Sequence, residues 1–518
     1  MASWASPFPA WPTKLLTPRT ISLCILLLAG LGLLYTITPP RDPTRKLLAT
    51  AAAPEDVEPV ERGRKATLPT EQVAEQDSGT PTANSYCADY PDNGAIALVV
   101  KTAATVALDR LPTQLLTSLH CLGEPIIVSD LAQTVGLNQV HDVLARVAPE
   151  IKRAHVEFET YRKQQELMYA GQWAALRSQA EVLGSAGEGG GRRSAAAGLD
   201  RWKWLRMVEK AWEVQPERQW YVFVGDEVYL SWRNVRHLLA GYHHSEAWYL
   251  GHEVREAGAQ ALASGEGSGV VVLSGHVVRD WVTQHPGLAS RWDKRIEEMK
   301  DGSEVLAKVL DEVLGVRLTD VGPVLQPHAP ETVPFGPDVW CKEVVSLHHL
   351  GSRQMDNIFR AEMALSKNSN TSPLRFRDIY HSAYLTGFPF KREDWDNLAA
   401  DPDFALEVRA SDITTLHGMW EPKDFVDPHM YFSGCEMACI QAEACMQFAS
   451  LKTTGEDVGD AKAECFLSSV FRLGRARKEE SWRDGEGEGE GKEGKRVWMS
   501  GWRSDRIARW VEGHEGCG

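Results

Sequence analysis

Two places in this chain set metal-binding side chains side by side. The first is Asp226-Glu227, which follows the apolar run Trp220-Tyr221-Val222-Phe223-Val224 and Gly225. The second is His348-His349, which follows Val344-Val345-Ser346-Leu347. Adjacent carboxylates at the end of a buried strand can hold a hard divalent cation against a diphosphate, because magnesium and manganese favour oxygen ligands. The plainer reading of the acids is a solvated turn, since acids favour turns on ordinary grounds. The histidines lack the i, i+4 spacing of helical zinc sites, so on their own they read equally well as a surface or core pair. A further pair, His243-His244, falls in an expected loop without comparable neighbours.

The flanking segments indicate what would carry these groups. The 220–224 run is aromatic and β-branched, and its length suits a buried strand. After the acids, Trp232, Val235, Leu238 and Leu239 share one helical face, with Gly241 as the expected stop. Ala247-Trp248-Tyr249-Leu250 is a second short run ending at Gly251. Upstream, Ala95–Val100 and Glu124–Val128 are strand candidates ending at Lys101-Thr102 and Ser129-Asp130, with a helical stretch from Leu111 to Leu119 between them. Strand, helix, strand predicts an α/β fold with a parallel sheet. In such sheets ligands bind in the crevice at the carboxyl ends of the strands, which is where the acid pair would lie.

With these residues in place the chain resembles the Fringe-like glycosyltransferases of family thirty-one, and among them the fungal relatives of core 1 β-1,3-galactosyltransferases. The resemblance rests on Trp220, Phe223, Tyr229, Leu230, Trp232, Asn234 and Tyr249-Leu250-Gly251, and runs from about Tyr86 to Phe404. It implies a GT-A-type, Rossmann-like domain that moves a hexose, most readily β-1,3-galactose, from a UDP-sugar to a glycan or glycoprotein acceptor with inversion. Lys101, Thr102 and Asp130 would belong to the nucleotide-sugar site, with Asp200 and Lys203 near the donor. Asp226 and Glu227 would hold manganese, with His348 and His349 after Trp340-Cys341 completing the site; Glu362 follows on the next helix. The Gly-rich stretch Gly265–Gly275 would supply a close turn. Two departures stand out. The metal-binding triplet is Gly225-Asp226-Glu227, without its first acid, and Ser303 occupies the position of the relatives' base. A serine cannot serve unaided as a base near neutral pH; Glu304 and Asp301 are close by and could substitute, and Glu304 is the expected base. The alternative is a catalytically impaired transferase fold that binds sugar or acts as a scaffold. A third class, a tethered interaction protein, leaves the large α/β part unexplained.

The 518 residues leave room for a large domain and a smaller one, and the net charge of −15 argues against a nucleic-acid partner. The uncharged run Ile21–Ile37 reads as an uncleaved membrane anchor, with basic residues on both sides. The expected organisation is a cytosolic tail at 1–19, an anchor at 20–38, a Pro- and Ala-rich stem at 39–85 and a transferase domain at 86–410. That domain holds a low-complexity insert at 171–198, expected to be a disordered surface loop. The resemblance adds a Golgi membrane location, single-pass type II, with the catalytic part luminal. Asn370-Thr371-Ser372 is a glycosylation sequon if the chain is luminal.

Cys435, Cys439, Cys445 and Cys465 crowd together and read as a disulfide framework; zinc is the rival, but C-x-x-C spacing is missing. The pattern resembles a PAN/apple-like module at 420–518, with a low-complexity insert at 485–494. Cys87 and Cys121 flank the first strand and helix as a candidate pair; Cys341 and Cys517 have no partner evident in the sequence.

Overall fold

The structure is a computed structural model. It describes residues 94–184, 195–253, 269–299, 301–368, 372–384, 387–407, 428–455, 462–483 and 493–517. The anchor, the stem, Cys87, the sequon's Asn370-Thr371 and most of 485–494 lie outside the described residues. Among those described, no helix is long and apolar enough to cross a membrane.

Among the described residues, the first nine strands in chain order belong to the first part. They are β1 (Ile96–Lys101), β2 (Ile126–Ser129), β3 (Gln133–Val135), β4 (Asn138–Asp142), β5 (Trp220–Gly225), β6 (Tyr229–Leu230), β7 (Tyr249–Gly251), β8 (Val270–Ser274) and β9 (Leu318–Asp320). All but β6 form one sheet in the order β3-β4-β2-β1-β5-β8-β7-β9. Its centre is parallel: β1 pairs in parallel with both β2 and β5, while β5 and β7 run antiparallel to β8. Two further short strands, β10 (Leu325–Gln326) and β11 (Ser346–Leu347), make a separate three-stranded sheet with β6.

The sheet is buried on both faces, and the period-two alternation of its strands sorts the side chains. Ala97, Val99, Tyr221 and Phe223 face one core; Ile96, Leu98, Val100, Trp220, Val222 and Val224 face the other. Helices α1 (Ala107–Leu116), α2 (Ala195–Val214), α3 (Trp232–Leu239), α4 (Gly275–Gln284) and α5 (Gly302–Leu314) cover them. Trp202, Trp204, Leu205 and Val208 of α2 fill the first core, whereas Leu111 of α1 and Trp232 and Val235 of α3 fill the second. Three layers with a parallel-rich centre are the α/β arrangement the sequence predicts, with β1, β2, β5 and α3 close to their expected bounds. The expected disordered insert at 171–198 is corrected at both ends. Residues Trp173–Gly184 form a helix, and α2 begins at Ala195. The Ala-rich ends have high helix propensity, which the Gly-rich centre obscured in the sequence.

The last part of the chain is a six-stranded antiparallel sheet. Its strands are β12 (Lys391–Glu393), β14 (Ala405–Leu406), β15 (Gln447–Gly455), β16 (Lys462–Ser468), β18 (Glu480–Arg483) and β19 (Glu493–Trp502). A side pair joins β13 (Trp395–Asp396) to β17 (Arg475–Ala476). Strands β12 to β14 lie before residue 410, so this sheet draws on chain assigned in sequence to the transferase domain. Helix α7 (Pro428–Gln441) packs on the sheet. Cys435–Cys465 ties that helix to β16, and Cys439–Cys445 closes its end. Cys121 is also disulfide-bonded.

The two parts share one aromatic core. Phe335 packs against Trp340, Tyr380, Tyr384 and Phe471, and Phe335 and Phe471 exchange both backbone hydrogen bonds. Trp502 of β19 and Ile507 and Val511 of the final helix, α8 (Ser504–Gly513), complete the cluster. Cys341 and Cys517, partnerless in the sequence, are disulfide-bonded to each other across 176 residues. Trp502 is fully buried and its indole N–H donates to the Arg472 carbonyl at 2.8 Å. Replacing Trp502 with Ala is therefore expected to cost about 3–5 kcal/mol. It should lower one cooperative melting transition for the whole folded part; a separate early transition with an unchanged later one would contradict the shared core.

Candidate functional site

The site forms where β1, β2 and β5 end. Strand β5 stops at Gly225, and the Asp226 N–H donates to the Lys101 carbonyl, holding the acid pair against the end of β1. Gln114 of α1 fixes the turn by donating from Nε2 to the carbonyls of Gly225 and Val228, both at 2.9 Å. Beyond the turn, β6 pairs antiparallel with β11, Leu230 opposite Ser346 and Tyr229 opposite Leu347. The Leu350 N–H donates to the Glu227 carbonyl at 2.9 Å, which brings the histidine pair beside the acid.

The ligand atoms of Glu227, His348 and His349 all lie within 4.8 Å of one another. His348 Nε2 is 3.3 Å, and His349 Nδ1 3.4 Å, from Glu227 Oε1. The imidazoles stack with centroids 3.9 Å apart. One carboxylate and two imidazoles suit a first-row divalent cation, manganese included, better than calcium or magnesium, which take all-oxygen shells. The donor set therefore fits the expected metal. Asp226 lies elsewhere: it is buried, accepts from the Thr102 hydroxyl at 2.5 Å and is bound by Arg110 at 3.0 Å.

Arg110 was not legible as a site residue, yet its guanidinium bridges both acids, lying 3.2 Å from Glu227 Oε2. The two neighbours respond in opposite directions. Burial pushes the Asp226 carboxyl up, against the pull of Arg110 and Thr102. Burial also works to raise Glu227, but His348, His349 and Arg110 outweigh it and hold the carboxyl well below the usual range. Of the two, Glu227 is the carboxylate held in its charged form beside the imidazoles.

The residues expected around a donor converge on the same edge. Lys203, buried on α2, donates from Nζ to the Thr102 carbonyl at 3.0 Å, and Asp200 lies 2.5 Å from Lys101 Nζ. That lysine sits over the Trp204 ring at 4.9 Å. Asp130, fully buried, accepts from the Ala104 N–H and the Ser129 hydroxyl through Oδ1, while Oδ2 has no partner. Glu304 stands on the first turn of α5, 2.7 Å from Lys308. Ser303 donates to Asp301 Oδ1, which also caps the helix by accepting from the Glu304 N–H. Gly302 meets Trp204 so closely that a Cβ there would lie 2.0 Å from the indole Cδ1, so the start of α5 is one side chain away from Lys101. Glu362 is not a ligand in this arrangement; its carboxylate is held by Tyr229 and Ser231.

Residues 199–384 match the Fringe-like family model. This stretch contains the acid pair, the histidine pair and α5, and leaves β1 to β4 outside the match. A Fringe-like domain is of the glycosyltransferase class, and the α/β sheet with its site at the strand ends fits that class. No curated protein matches the chain.

Two backbone features bear on the site. His349 adopts φ 59°, the left-handed region that non-glycine residues rarely occupy. Gly269 does so at φ 66°, and a Cβ on it would lie 2.8 Å from His348 Cδ2 and 2.5 Å from Val228 Cγ2. Gly269→Ala should displace the His348 ring and lower manganese affinity by roughly 10–100-fold, as losing a ligand's support does elsewhere. Calorimetric titration checks this, and unchanged affinity would show that His348 is free to move.

His328 lies behind the cluster, and its backbone carbonyl accepts from the His348 N–H at 3.4 Å. Burial and then Arg472 push its imidazole down to about 4, with Asp401 opposing. Between that value and the ordinary one near 6.5, the unfolded chain binds the proton and the folded chain does not. Stability should therefore fall as pH drops through this window, by up to about 3 kcal/mol. Melting curves of the wild type and His328→Gln should diverge there; parallel curves would place the dependence elsewhere.

Proposed function

We propose that the protein is an inverting, metal-dependent glycosyltransferase that uses a UDP-sugar. The observation that carries this reading is the Glu227–His348–His349 cluster at the end of β5, inside the Fringe-like match. Glu227, His348 and His349 would hold a divalent cation, manganese by its tolerance of mixed oxygen and nitrogen ligands, which supplies positive charge against the diphosphate leaving group. Arg110, half exposed beside both acids, adds fixed positive charge at the same place. Lys101, Thr102, Asp130, Asp200 and Lys203 form the donor side. Glu304 is assigned the base: it takes the proton from the acceptor hydroxyl as that oxygen attacks the anomeric carbon from the face opposite UDP. The sugar proposed is a hexose, β-1,3-linked galactose by the resemblance, and the acceptor a glycan or glycoprotein.

The uncharged run Ile21–Ile37 supports anchoring in a Golgi membrane as a type II protein. A helix pinned by disulfides to an antiparallel sheet supports the PAN/apple-like reading of the C-terminal part.

A second reading is favoured by Ser303, whose hydroxyl is bonded to Asp301 where the relatives have a base. The fold would then bind donor without transferring it. UDP release from a panel of UDP-sugars, with manganese and then with chelator, separates the two. The enzyme reading expects metal-dependent release, abolished by Glu227→Ala and lowered about 10²–10⁴-fold by Glu304→Gln with UDP affinity retained. UDP binding without release from any donor would favour the second reading.

A further inference from the structure

Glu362 lies outside the metal cluster on helix α6 (Ser352–Asn368) and is only 6% exposed. Its carboxylate accepts a hydrogen bond from the Tyr229 hydroxyl and another, at 2.6 Å, from the Ser231 hydroxyl. Burying a carboxyl costs free energy that hydrogen bonds offset only in part. Here both bonds go to β6 and the residue after it, the segment that begins two residues past Glu227.

Packing fixes this segment from both sides, Leu230 in the core behind the main sheet and Tyr229 in the aromatic core, but its polar anchors are few. The β6–β11 ladder is two residue pairs long, extended by the Ser231 N–H to the Val345 carbonyl and the Leu350 N–H to the Glu227 carbonyl. The sheet to which this ladder belongs has three strands of only two residues each, whereas metal ligands need placement within about 0.5 Å. Glu227 hangs from one strand of this ladder, and His348 and His349 from the other. Their separation is set by how firmly β6 is held, and Glu362 ties β6 to a helix of 17 residues.

We propose that Glu362 is a positioning residue for the Glu227–His348–His349 metal site, acting through the hydroxyls of Tyr229 and Ser231. Its hydrogen bonds to Tyr229 and Ser231 reach β6 and the residue after it. It holds β6 so that the Glu227 carboxylate faces the two imidazoles across the gap an ion would fill. The inference rests on the metal reading of that cluster.

The test is manganese binding by the full chain, followed by electron paramagnetic resonance and calorimetry, together with the melting temperature without metal. Wild type binds manganese, and Glu362→Ala binds it roughly 10–100-fold more weakly. Glu362→Gln recovers most of that loss, since its amide can still bond both hydroxyls. The double variant Tyr229→Phe/Ser231→Ala shows a loss like that of Glu362→Ala, and adding Glu362→Ala to it weakens binding no further. A merely structural role would lower the melting temperature and leave affinity unchanged, and that result overturns the proposal. So does additivity of the two sets of substitutions. Should Glu362→Ala fail to fold, the double variant decides: undiminished affinity there overturns the proposal. A wild type that binds no manganese sinks the metal reading and the proposal with it, an outcome visible before any variant is made.

Discussion

The aromatic packing around Phe335 is the constraint on which the rest of the structure depends. Its ring lies against four others, and its backbone is paired in both directions with Phe471. Phe335 is followed closely by Trp340-Cys341 and then by the strand that delivers the histidines. On the other side of the same cluster stand Phe471, just past β16, and Trp502 of β19. A module that sequence suggests as an appendage shares, in its packing, one core with Tyr229, Leu347 and Leu350, which flank the acid and histidine pairs. Aromatic rings bury large areas and favour edge-to-face geometry, so a cluster of this size resists sliding of one part over the other.

Charge in the site is arranged by neighbours, not by the acids alone. Asp226 and Glu227 adjoin in sequence yet sit in opposite environments. One is enclosed, with Thr102 and Arg110 for company; the other faces two imidazoles. Arg110 touches both and keeps the pair from repelling each other. This division turns one carboxylate toward the imidazoles and leaves the other to the architecture of the β1 and β5 ends.

Much of this was legible in the sequence because it depends on local pattern. The aromatic strand, its acid pair and the following helix appear at their expected places, because period-two and period-3.6 burial leave clear marks. Lys101 and Thr102 stand where parallel strands end at one edge, whereas Asp200 and Lys203, on α2, were placed beside them only by the family resemblance. What escaped notice depends on contacts between distant parts. Arg110 is a lone basic residue on a helix, indistinguishable in sequence from a solvated one. The Cys341–Cys517 bond joins residues whose proximity only the shared core creates. The recruitment of 391–406 into the C-terminal sheet was hidden because strands of two or three residues carry almost no periodic signal.

The backbone at His349 has a meaning beyond its geometry. Holding a side-chain-bearing residue in the left-handed region costs on the order of 1–2 kcal/mol, and a glycine there would not incur it. The fold thus retains at this point a residue that folding alone disfavours, with its ring over His348 and its nitrogen toward Glu227. A scaffold that needed only its shape would be better served by glycine at position 349. Among the described residues Glu217, Asp394 and Leu398 carry the same backbone cost, and what sets His349 apart is the place of its ring, stacked on His348 beside Glu227.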